Sequence, residues 1–131
     1  MSVPRFRAWI ERYQKYMPVA MIHFEPILGK IDYIEVVATG GDWAKFYPEE
    51  FILEQYTGLK DTNGKGIYEG DIVKFKWTKR LYVVAYRLYD ASFILENDEW
   101  EETIHLSLDK DNYEVIGTIH ENAELLGEEE E

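Results

Sequence analysis

Between Asp61 and Gly66 the chain reads Asp-Thr-Asn-Gly-Lys-Gly, and this segment constrains the fold more than any other. Asn-Gly is the favoured pair where two consecutive residues take positive φ, the geometry that turns one antiparallel strand back on the next. Gln55-Tyr56-Thr57 before it reads as a strand. After Tyr68-Glu69 comes Gly70-Asp71, where glycine gives the freedom to re-enter a sheet, and then the strand Ile72 to Trp77. In that strand Val73, Phe75 and Trp77 share one face, while Ile72, Lys74 and Lys76 share the other.

The same rhythm fills the rest of the chain. Leu81 to Tyr89 is apolar on both parities, which indicates a central strand covered on both sides or a face used for association. Phe93 to Leu95, Thr103 to Leu108 and Tyr113 to His120 complete a run of short strands about ten residues apart, the spacing of a small barrel or sandwich. Upstream, residues 5–38 alternate, with Ala8 and Ile10 opposite Arg7 and Trp9. Pro18, Pro26, Gly29 and Gly40-Gly41-Asp42 read as turns. Residues 48–56 suggest a helical turn at Pro48-Glu49-Glu50 leading into a strand at Gln55. Glu121 to Leu126 closes the fold, and Glu128 to Glu131 reads as a disordered acidic tail. The expected class is mainly β with at most a short helix, one domain over residues 1–127 made of parts 5–54 and 55–126.

Composition narrows the function. The 131 residues include no cysteine, which excludes a disulfide scaffold, a thiol nucleophile and thiolate-bound metals. No apolar run approaches the ~20 residues of a membrane helix, and the N-terminus lacks a secretion signal, so a cytoplasmic protein with no membrane partner is expected. The net charge of −12 is unevenly spread. Residues 1–87 carry 13 bases and 11 acids, whereas residues 88–131 carry only Lys110 against 15 acids.

Gln55-Tyr56-Thr57-Gly58-Leu59-Lys60-Asp61, Asn63-Gly64-Lys65 and Ile67-Tyr68-Glu69-Gly70-Asp71-Ile72-Val73 together resemble the signature of the YopX family of phage and prophage proteins. Phe6-Arg7-Ala8-Trp9, Val115-Ile116-Gly117, Glu121-Asn122 and Glu124-Leu125-Leu126 are similar in the same order. Gly66, Thr118 and Ala123 depart from the usual residues. The resemblance implies an SH3-like β-barrel in the C-terminal part, packed with an N-terminal β-rich segment, and a bacterial host cell. It implies no catalytic residues.

Catalytic patterns are lacking in the sequence. Read as a calcium loop, Asp61 to Ile72 puts Lys65 at position five and Ile72 where a bidentate Glu is required. His23, His105 and His120 form no i, i+4 pair, and Ser2, Ser92 and Ser107 lie in no nucleophile motif. No enzyme, metal or cofactor is expected. An accessory protein acting through protein contacts, as a homo-oligomer, is the leading expectation, with Tyr56, Lys60, Tyr68 and Asp71 as a candidate surface. A second is an acidic decoy that mimics DNA through Glu96, Asp98, Glu99, Glu101 and Glu102. The third is nucleic-acid binding by the basic-aromatic stretch 74–87, through Lys74, Lys76, Lys79 and Arg80.

Overall fold

The computed structural model describes residues 5–77, 80–97, 102–105 and 110–129. It is mainly β, every strand pair is antiparallel, and the chain divides between Gln55 and Tyr56 into two compact units.

In the first unit, β1 (Phe6–Ile10), β2 (Lys15–Phe24), β3 (Ile31–Val37), β4 (Trp43–Phe46) and the start of β5 (Phe51–Lys60) lie in the order β4-β3-β2-β1-β5. Alternation selects the buried face: Ala8, Ile10, Met17, Ile34, Val36 and Phe46 form one core, joined by Phe51. Strands β4 and β5 stand at opposite ends of this run yet are joined only by Tyr47–Glu50, most of it a 3₁₀ turn. Four strand spacings laid flat span about 19 Å, while five residue steps, three of them 3₁₀, reach about 13 Å. The sheet must therefore curl, which brings Phe46 and Phe51 into the same core. On its other face Arg7 Nε donates to the buried Glu54 carboxylate at 2.9 Å and its guanidinium lies 4.1 Å from the Tyr16 ring.

Two expectations change here. Pro18 lies inside β2, not at a turn, and pairing with β3 begins only at Val19, so at Pro18 the ladder is one-sided. The strand after Pro48–Glu50 starts at Phe51, four residues earlier than expected, because Phe51 pairs with Ile10.

In the second unit the last residues of β5 pair with β6 (Gly66–Tyr68). A five-stranded sheet follows with the order β10-β9-β8-β7-β11. It contains β7 (Asp71–Phe75), β8 (Leu81–Arg87), β9 (Ser92–Asn97), β10 (Glu102–His105) and β11 (Tyr113–Thr118). A short helix, α1 (Glu124–Glu129), ends the described chain and takes in two residues of the expected tail. Ile67, Val73, Tyr82, Val84, Leu95, Tyr113 and Val115 form the core. No hydrogen bonding among the described residues closes this sheet into a barrel. β8 is central as expected: Tyr82 and Val84 are buried, and Leu81, Val83 and Ala85 on the other parity are half-buried. Trp77 corrects the parity reading, because β7 stops at Phe75 and Trp77 is 68% exposed in the following turn.

The Asn63-Gly64 turn also differs in detail. Only Gly64 has positive φ, at +83°. The Gly64 N–H donates to Asp61 O and the Asp61 N–H to Lys65 O, giving a three-residue connection with the left-handed residue last. The Asp61 side chain explains the choice. Its Oδ1 accepts the Asn63 and Lys65 N–H groups, each at 2.9 Å, and its Oδ2 accepts the Val115 N–H at 2.8 Å. One buried carboxylate thus shapes the turn and ties it to β11, 54 residues on.

At the far end of β11, a Cβ on Gly117 would sit 2.5 Å from Asn122 Oδ1, the atom that accepts the Thr118 N–H. The close approach is what excludes a side chain at position 117.

Asp61→Ala is expected to destabilise the protein by about 3 kcal/mol or more in urea unfolding, since hydrogen bonds to a charged group are lost and the Val115 donor is left buried. Asp61→Asn keeps the shape but turns a donor toward a donor, for an intermediate loss. A change under about 0.5 kcal/mol for Asp61→Ala, the level of an ordinary surface substitution, would contradict this role. Gly117→Ala is expected to cost about 1–3 kcal/mol by overpacking. Adding Asn122→Gly in the same chain should cost less than the two single losses combined, as a double-mutant cycle would read.

Candidate functional site

The turn that Asp61 holds forms one wall of a recess in the second unit. Thr62 and Asn63 come from the turn, Lys74 and Lys76 from β7 and its end, and Asn112, Tyr113 and Glu114 from the start of β11. Its backbone is pinned: the Thr62 N–H donates to Tyr113 O at 3.0 Å and the Lys76 N–H to Asn112 O at 2.8 Å. Glu114 lies directly across from Lys74 in register, but its Oε2 accepts from Asn63 Nδ2 at 3.1 Å. Neither Lys74 nor Lys76 forms an ion pair among the described residues. The Lys76 ammonium instead lies 5.0 Å from the centre of the Trp77 ring. The recess volume is about 270 Å³.

Sequence reasoning reached part of this recess. Lys74 and Lys76 line it; Arg80 is half-buried opposite Phe75, whose N–H donates to Arg80 O; Lys79 lies outside the described residues. Arg87, at the end of the basic stretch, is taken by Asp90 through two contacts at 3.0 and 2.6 Å. Asn63, Asn112 and Glu114 were not singled out as site residues. The Asn-Gly pair signalled a turn, but nothing local shows that the turn abuts residues some fifty positions later.

The other candidate surface comes together only in part. Tyr56 and Tyr68 are cross-strand partners with ring centres 5.1 Å apart, and Lys60 is exposed opposite Gly66. A Cβ at position 66 would lie 2.9 Å from Tyr56 Cε1, so the bare glycine gives the Tyr56 ring its seat. Asp71 is not part of any surface. It is 1% exposed, and its Oδ2 accepts the Tyr68 N–H at 2.8 Å, closing the Gly70-Asp71 corner from inside.

A different exposed feature appears in the first unit, at the tip of the β2–β3 hairpin. Ile27 is 87% and Leu28 71% exposed. The Glu25 carboxylate accepts the backbone N–H of both, fixing the loop with the two aliphatic side chains outward. Phe24 next to it is also exposed. Behind the tip, His23 stacks on Tyr33 with ring centres 4.8 Å apart and contacts Asp32 at 3.3 Å. No group of three potential metal ligands exists among the described residues, and no helix there is long and apolar enough to cross a membrane. Of the acidic residues in the decoy reading, Glu96 is exposed on β9, while Asp98, Glu99 and Glu101 lie outside the described residues.

The chain is similar over most of its length to two proteins of known structure. It shares 28% identity and a TM-score of 0.64 with the protein EF1440 from Enterococcus faecalis, covering 96% of this chain and 99% of that one. With the protein yopX from Bacillus subtilis it shares a TM-score of 0.60 at 17% identity, over 93% of this chain and 97% of that one, a likeness of fold alone. No curated protein matches the sequence. The model of the YopX protein family matches residues 5–127, which takes in both units, the Asp61 turn and the Gly117–Asn122 contact. By that match the chain belongs to the YopX family.

Proposed function

We propose that the protein is a non-enzymatic accessory protein that works through protein–protein contacts, self-association among them, in the cytoplasm of a bacterium carrying a phage or prophage. The observation that carries this reading is the outward-held pair Ile27 and Leu28. Isolated exposed aliphatic residues are ordinary. Two adjacent ones on a loop fixed by Glu25 are different, because the fold gains nothing from their placement and solubility suffers. Burying both against a partner would be worth about 3–6 kcal/mol before the entropic cost of association. The rigid loop keeps that cost down, as its backbone is already ordered.

The second unit supports a finer reading as SH3-like. Its last strand, β11, returns to pair with its first long strand, β7, and a 3₁₀ turn at Lys110–Asn112 leads into β11. Such an order presents hairpin loops and a sheet edge for contacts while the core stays fixed.

Sedimentation velocity at micromolar concentration tests the proposal. Self-association is expected for the native chain and a monomer for the Ile27→Glu, Leu28→Glu double variant, with the two giving the same far-UV circular dichroism. A native chain that stays monomeric, or a variant that associates equally, would remove the tip from the account.

A further inference from the structure

The recess beside the Asp61 turn has features that the protein-contact reading does not use. At about 270 Å³ it falls just short of the roughly 300–1,000 Å³ that encloses a drug-sized ligand. It suits one unit of a longer chain. Two cations reach it, and in a chain with 26 acids neither is matched by an ion pair among the described residues. Its one carboxylate, Glu114, is engaged by the Asn63 amide. Thr62 and Asn112 add neutral hydrogen-bonding groups. Next to Lys76, Trp77 offers an indole that is 68% exposed, held by the ammonium at 5.0 Å.

We propose that this recess binds single-stranded nucleic acid, with backbone phosphate between Lys74 and Lys76 and a base stacked on Trp77. Cations that follow a backbone beside an exposed aromatic platform are the common means of holding single strands without reading their sequence. A duplex hides the faces of its bases and cannot use Trp77. An acidic peptide would satisfy the lysines but leave the indole unused. The net charge of −12 opposes a polyanion at long range, yet at about 0.1 M salt that repulsion is screened beyond about 10 Å, whereas the recess acts at contact. The site shares no residue with the β2–β3 tip, so it stands or falls apart from the self-association reading.

Fluorescence anisotropy with a labelled oligothymidylate of about twelve nucleotides, a length within common single-strand site sizes, tests this on the full chain. Binding is expected at about 50 mM salt and should weaken by 200 mM. Lys74→Gln with Lys76→Gln should lower affinity about ten-fold or more and flatten the salt dependence. Trp77→Ala should lower it about five-fold or more with little change in salt slope. Lys74 and Lys76 hold no ion pair among the described residues, and unchanged circular dichroism will verify that the variants are folded. The proposal is overturned by no binding at low salt, by equal binding of the lysine variant, or by a glutamate-rich peptide or a duplex of equal length binding more tightly than the single strand.

Discussion

The Asp61 carboxylate is the interaction on which the second unit depends. Both oxygens are used, one for two amides of its own turn and one for the amide of Val115. A turn of Thr, Asn and Gly has little apolar surface with which to fix itself to a sheet. A buried charge that accepts three backbone hydrogen bonds does so directionally, each bond being stronger than a neutral one. The recess wall and the approach of Asn63 to Glu114 follow from where that carboxylate sits, while Lys74 is placed beside them by its pairing with Glu114 across β7 and β11.

The first unit is organised differently. Its sheet is forced to curl by the short link between β4 and β5, and the resulting core holds one face while Arg7, Tyr16 and Glu54 fill part of the other. Removing one partner of such a buried ion pair is costly even where the pair itself contributes little net stability. The β2–β3 hairpin ends in the exposed Ile27 and Leu28, whose backbone N–H groups are held by the Glu25 carboxylate.

Much of this was legible in the sequence. Alternation put Ala8 and Ile10 on one face and Val73 opposite Lys74, the doubly apolar stretch with Tyr82 and Val84 marked a covered strand, and turn residues marked most strand ends. The family-like segments Asp61 to Lys65, Gly70-Asp71 and Val115 to Asn122 prove to be architecture: two inward carboxylates and a glycine against an asparagine. What could not be read were pairings between distant residues. Asp71 looked like a surface acid because its partner amide lies three residues back around a corner that composition does not reveal. Trp77 was grouped with Val73 and Phe75 on one face, but parity holds only while the strand continues, and β7 ends two residues earlier. The uneven charge was plain, but that Arg87 is consumed by Asp90, while Lys74 and Lys76 form no ion pair among the described residues, required the three-dimensional structure.

Native-state amide hydrogen exchange tests the Asp61 account most directly, because it reads the three acceptor bonds one by one. The Val115 amide should exchange only through global unfolding in the native chain. In Asp61→Ala, Val115, Asn63 and Lys65 should lose protection together while the Val84 amide on β8 remains governed by global unfolding. Rapid exchange at Val115 in the native chain, or protection there unchanged by Asp61→Ala, would contradict the account.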